Sequence, residues 1–257
     1  MAVVAQPGYG GAAGPATPAT GNGDAVSGRQ AEGRIERARQ LYERAVYAGD
    51  SGVLATAEQD LDKVEADLAV ARGQILHARF FDDRHEDPRE LALFERAAQL
   101  YRLLGDVAGE AESLFWMGCF HQVVRDDAGT AVPLFEQSYA LATRAGDRPT
   151  QAEALRHLGI AEHFAGRWDA ARERLEESVR LRREIGLPAG VAANQVGLIY
   201  IAAAQNRRDD ALALAEEAYR TAESCGAERI MRQIEEARAQ IMTSDADPGE
   251  AHDPGTP

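Results

Sequence analysis

The sequence predicts an all-α fold, an α-solenoid of stacked antiparallel helical hairpins, and two recurrences carry that prediction. Glycines mark helix ends at Gly105, Gly146, Gly186 and Gly226, at intervals of 41, 40 and 40 residues. A fixed period of that size signals a helical repeat array. Between the glycines, Ala131, Phe135 and Ser138 become Ala171, Leu175 and Ser178, then Ala211, Ala215 and Ala218, with an upstream copy at Glu90, Phe94 and Ala97. Residues spaced by four and then three share one helix face, and small ones there let a neighbouring helix approach closely. Each hairpin exposes an apolar face that only the next can cover, so the hairpins are expected to stack into a right-handed superhelix.

The elements follow in order. Residues 1–28 hold Gly, Ala, Pro and Thr with almost no charge, a composition that cannot offset the entropy of ordering, so the segment is expected to be disordered. The repeat domain is placed at 29–242. Its first helix spans about Gln30 to Ala48, with Ile35, Ala38, Leu41, Tyr42 and Ala45 on one stripe. Gly49 and Asp50 read as a helix stop and the N-cap of the next helix. That helix runs from about Ser51 to Asp83 with Leu54, Ala57, Leu61, Val64, Leu68, Ala71, Ile75 and Leu76 at helical spacing, and Gly73 is a candidate break. Asp87-Pro88 opens the next helix. Asp106 and Asp147 follow end-of-helix glycines as N-caps, and Pro133 is expected in a first turn, where its missing N–H costs nothing. Trp168-Asp169, Pro188 and Asp209 open later helices, and Ala227 to Met242 forms the last. Residues 243–257, acidic and proline-containing, are expected to be a disordered tail.

A net charge of −14 and a pI near 4.9 argue against nucleic acid and anionic membrane as partners. Cys119 and Cys225 are the only cysteines, too few for a disulfide framework or a zinc site, which fits a reducing compartment. No signal-peptide pattern or membrane-length apolar run is read, so a cytoplasmic location is expected.

At Leu158-Gly159, Gly166, Asp169-Ala170-Ala171, Leu175 and Ser178 the chain resembles a tetratricopeptide repeat protein. Met117-Gly118 with Ala131 and Phe135, and Val196-Gly197-Tyr200 with Ala211 and Ala218, match in the flanking copies. The long period is similar to that of the C-terminal arrays of large bacterial transcriptional activators. The resemblance covers about 65–242 and departs from the pattern near 85–88, Asp127 and Arg207. It implies the hairpin solenoid and a concave groove lined by the first helix of each hairpin. Registering the hairpins on Gly73, Gly118, Gly159 and Gly197 brings Gln74, His77, Phe115, Cys119, Gln122, Arg156, His163 and Asn194 toward that groove.

Catalytic signatures are not found. His157 and His163 lie on different helix faces, as do Cys119 and His121, so neither pair has the spacing of a helical zinc site. Paired carboxylates such as Glu176/Glu177 have arginines three or four residues away and read as a solvated face. Polar groups beside an aromatic suit an extended peptide or a partner helix. The expected function is therefore a non-enzymatic interaction module, an adaptor or regulator binding a cytoplasmic protein, with no cofactor or metal. A ligand-responsive sensor is the second reading and an enzyme the third.

Overall fold

The structure, a computed structural model, describes residues 23–243. Those residues are all-α, with ten α-helices and no strand. The segments 1–22 and 244–257, which hold most of the two stretches expected to be disordered, lie outside the described residues. The chain divides into two compact units, Met1–Ala161 and Glu162–Pro257.

The first unit begins with α1 (Gly23–Ala48), which starts ahead of the expected Gln30. A 3₁₀ turn at Ser51–Val53 leads into α2 (Leu54–Asp83), followed by α3 (Arg89–Leu104), α4 (Val107–Cys119), α5 (Ala128–Ala145) and α6 (Arg148–Phe164), whose last residues enter the second unit. Helices α1, α2, α3 and α4 each pack on the next, so consecutive helices form antiparallel pairs. The core joins Phe94, Leu100 and Tyr101 of α3 to Phe115, Trp116 and Cys119 of α4, Phe135 of α5 and Leu158 of α6. Helix α1 is tied to α2 by Arg34 and Arg37, which both reach the buried Asp60. The Arg37 hydrogen bond holds the Asp60 carboxyl below its usual range.

In the second unit α7 (Trp168–Glu184), α8 (Pro188–Ala204), α9 (Arg208–Ser224) and α10 (Glu228–Thr243) pack in the same sequential way. Leu175 and Val179 of α7 meet Val191, Leu198 and Ile201 of α8. Helix α10 buries Ile230, Ile234, Ala237 and Ile241 on a single side.

The end-of-helix reading holds: Gly105, Gly146, Gly186 and Gly226 have φ of +68°, +71°, +72° and +67°. Asp106, Asp127 and Asp147 accept hydrogen bonds from the backbone N–H of Gly109, Thr130 and Thr150. Asp50 does not cap its helix, because its carboxylate pairs with Arg44 instead. Pro133 is also displaced from its expected place. Since α5 begins at Ala128, the proline sits beyond the first turn, where the Gly129 carbonyl it leaves unbonded belongs to an exposed residue.

Two further differences concern α2 and α4. Helix α2 runs unbroken through Gly73, and the stripe Leu54, Leu61, Leu68 and Ile75 is exposed. Its core face is instead Ala66, Ala69, Val70, Gly73, His77 and Phe80. Helix α4 passes into a π turn at Phe120–Val124, where the Arg125 N–H bonds the Phe120 carbonyl. The interval between Gly105 and Gly146 is one residue longer than the next two, and a π turn is how an α-helix absorbs a single extra residue.

The turn inside each hairpin also needs a left-handed residue. Gly166 supplies it at φ +73°, whereas Arg84, Asp126 and Asn206 adopt φ of +55°, +52° and +56°. A side chain costs about 1–2 kcal/mol in that region. Gly146→Val should therefore destabilise the protein by about 1–2 kcal/mol, while Asp126→Gly should stabilise it by up to about 1 kcal/mol. Urea unfolding of both variants measures this, and a Gly146→Val protein as stable as wild type would contradict it.

Candidate functional site

The first helices of the hairpins carry a line of polar side chains, most of them inside the protein. In α2, His77 is 4% exposed and its Nδ1 lies 2.7 Å from Oε1 of Glu90 in α3, itself 1% exposed. The His77 ring meets Trp116 of α4 edge-on, with centroids 5.6 Å apart. Glu90 occupies the position filled by Ala131, Ala171 and Ala211 in the other copies. A carboxylate there, where small residues are the rule, was the signal in the sequence for a buried partner on α2. One turn before, Gln74 stays partly exposed and its Nε2 donates to Oε1 of Glu112 in α4 at 3.3 Å. Burial pushes the Glu112 carboxyl up, against a hydrogen bond from the Trp116 ring N–H.

A second cluster joins α4, its π turn and α6. Nδ1 of His157 lies 2.6 Å from Oε1 of Gln122, and Nε2 of Gln122 donates to the His157 carbonyl at 3.2 Å. An amide oxygen only accepts, so Nδ1 of His157 carries the proton. In the neutral ring, Nε2 then accepts, facing Nη1 of Arg156 at 3.4 Å and Sγ of Cys119 at 3.9 Å. Phe115 and Phe135 pack on the same imidazole with centroids at 5.3 and 5.1 Å. His157, absent from the residues assigned to the groove, is thus the hub of this cluster. Its place became visible only with the π turn that aims Gln122 toward it.

The arrangement has limited nucleophilic capacity. Burial pushes the Cys119 thiol well above its ordinary value, so the sulfur is held as the poorly nucleophilic thiol. Among the described residues no group of three or more His, Cys, Asp or Glu is placed to hold a metal ion. No described helix is long and apolar enough to cross a membrane.

The residues assigned to the groove therefore fall into two kinds. Gln74 and Gln122 are partly exposed. His77, Phe115, Cys119 and Arg156 are buried in the first unit, Phe115 at 3% and Arg156 at 7% exposure. Phe115 belongs to the core, so truncating it would leave a cavity and cost about 3–5 kcal/mol of stability. In the second unit, His163 is buried with its ring edge-on to Trp168 at 4.9 Å, and burial pushes its pKa down. Asn194 is 1% exposed in α8, and neither atom of its amide has a hydrogen-bond partner among the described residues. Its neighbour Gln195 donates to Glu217 of α9 at 2.9 Å.

Comparison with known families matches residues 120–184 to the tetratricopeptide repeat. Match and hairpins together support a tetratricopeptide repeat protein. The matched segment runs from the π turn through α5 and α6 to the last residue of α7. Tetratricopeptide repeats in general serve protein–protein interaction. No curated protein matches the chain.

Glu112 gives this region a pH dependence. Its folded-state pKa is raised above the ordinary 4.5, so the folded state binds the proton more tightly than the unfolded one. Stability from this group is then lost as pH rises from 4.5 through the folded pKa. Glu112→Gln, which keeps an acceptor for Gln74 and Trp116, should be more stable than wild type at neutral pH. The advantage should shrink as pH falls toward 4.5. Thermal melts of both proteins across that range check this, and a difference independent of pH would exclude the assignment.

Proposed function

We propose that the chain is a non-enzymatic protein-interaction module, an adaptor or regulator that takes a peptide or helix of a partner protein along the first-helix face of its hairpins. The observation that carries this reading is the tetratricopeptide match over 120–184, in a chain whose helices pack sequentially within each unit. Hairpins stacked within a unit present equivalent positions one after another, which suits an elongated ligand.

Within the first unit, the assigned residues that can touch a ligand without unfolding are Gln74 and Gln122, both partly exposed amides. Each spends one side on a neighbouring helix, Gln74 on Glu112 and Gln122 on His157. Amides held in this way are positioned in advance to bond a peptide backbone, which lowers the ordering cost of binding. The buried residues His77, Cys119, Arg156 and His157 act behind them by fixing the helices that carry them.

The test starts from a partner captured from the source cell and identified, then titrated against variants of the full chain. Gln74→Ala and Gln122→Ala should each weaken binding by about 1–2 kcal/mol. Glu173→Ala, an exposed position on α7, should leave affinity unchanged. Loss of affinity in Glu173→Ala alone would place the binding surface elsewhere.

A further inference from the structure

Helix α2 carries apolar residues on two opposite faces. One face enters the core, as described above. The other leaves Leu54, Leu61, Leu68 and Ile75 exposed at 41%, 47%, 47% and 55%. These four recur every seven residues, and three residues after each comes Ala57, Val64, Ala71 or Ala78, of which Ala57 is buried, Val64 half-buried and the last two exposed. An apolar seam of that period is what a helix presents to another helix in a coiled coil. From Leu54 to Ala78 it extends about 36 Å along α2. Single exposed hydrophobics are ordinary, but an aligned row of four large ones is a contact surface.

The charges beside the seam say what covers it. Four residues after each large apolar residue stands Glu58, Glu65, Arg72 or Arg79, two acids followed by two bases, all exposed. Glu65 pairs with Arg96 of α3. Glu58, Arg72 and Arg79 make no ion pair with another described residue. Reversing α2 about a two-fold axis near its midpoint sets Glu58 opposite Arg79 and Glu65 opposite Arg72 of a second copy. An axis one residue further along the helix places Leu68 against Ala71, Leu61 against Ala78 and Val64 against Ile75. With the apolar layers in register the charge pairs are offset by two residues, about 3 Å, which Glu and Arg side chains span. Such self-complementarity defines an isologous contact between identical chains.

The basic half of the seam also borders a groove of about 580 Å³ between α2 and α3, lined by Arg72, Ile75, Leu76, Arg79, Ala92 and Leu93 among others. In the reversed register the acidic half of the second copy lies over this groove, with Leu61 above its apolar floor and Glu58 and Glu65 beside its arginines.

We propose that α2 is a homodimerisation helix, pairing antiparallel with α2 of a second copy through Leu61, Leu68 and Ile75. The occupant is another copy of this chain, selected by the acid-to-base gradient along the helix. This surface is separate from the partly exposed amides proposed to meet a partner protein.

Sedimentation velocity of the full chain at micromolar concentrations tests the proposal. Wild type should show a concentration-dependent dimer. Leu68→Glu, at a half-exposed position, should sediment as a monomer with an unchanged helical circular dichroism spectrum. Glu58→Arg and Arg79→Glu should each weaken the dimer by about tenfold, since each places like charges at both two-fold-related contacts. An equimolar mixture of those two variants should restore it, because both contacts in the mixed dimer then join opposite charges. A wild-type chain monomeric at every concentration would overturn the proposal. So would a dimer that survives Leu68→Glu, or charge variants that fail to complement each other.

Discussion

The first unit depends on a steric fit between a glycine on one helix of a hairpin and an aromatic ring on the other. Phe135 of α5 lies so close to Gly118 of α4 that a Cβ there would stand 2.6 Å from the ring. Phe94 of α3 covers Gly73 of α2 in the same manner. With no side chain between them, the helices of each pair approach closely, and both rings are fully buried. The next layer builds on this contact. Trp116 of α4 stacks on Phe94 with centroids 5.7 Å apart and planes 12° from parallel, joining the α2/α3 hairpin to the α4/α5 hairpin. Gly73 would weaken α2 if packing did not require it, and α2 nevertheless runs unbroken through it.

Around these contacts the buried polar side chains set the register. The pair of His77 and Glu90, and the bonds of His157 with Gln122, satisfy groups that would be costly to bury alone. Each has one good geometry, so sliding either helix by a turn would strand a polar group in the core. The aromatic contacts supply apolar burial, and the polar ones select the alignment in which that burial occurs. Gln74 and Gln122, at the edge of this network, are where fold and proposed recognition meet.

Much of the fold was legible because helix ends obey local rules. The four period-marking glycines lie in the left-handed region, and Asp106 and Asp147 cap their helices, since both roles depend on a few neighbouring residues. The face of α2 was harder to read. Leu54, Leu61, Leu68 and Ile75 have core-like spacing, but Ala66, Ala69 and Gly73 win the core because only small residues allow α3 so close. Periodicity locates an apolar face without saying what lies against it. The one extra residue between glycines reads in the sequence as a departure near Asp127, whereas the chain takes it up earlier, in the π turn after Cys119. Residues assigned to the groove came from register alone, and register does not report burial. Phe115 and Arg156 therefore face packed neighbours, whereas Gln74 and Gln122 keep access to solvent.

The fit between ring and glycine can be tested by a double-mutant cycle on Gly118 and Phe135, read by urea unfolding. Leucine replaces phenylalanine at the equivalent position of the next copy, Leu175, so Phe135→Leu is a substitution the repeat already accommodates. Gly118→Ala should cost about 1–3 kcal/mol with Phe135 present, as overpacking does, and clearly less in the Phe135→Leu background. The two changes should therefore couple. Strictly additive changes, with Gly118→Ala equally costly in both backgrounds, would show that the hairpin does not rest on this contact.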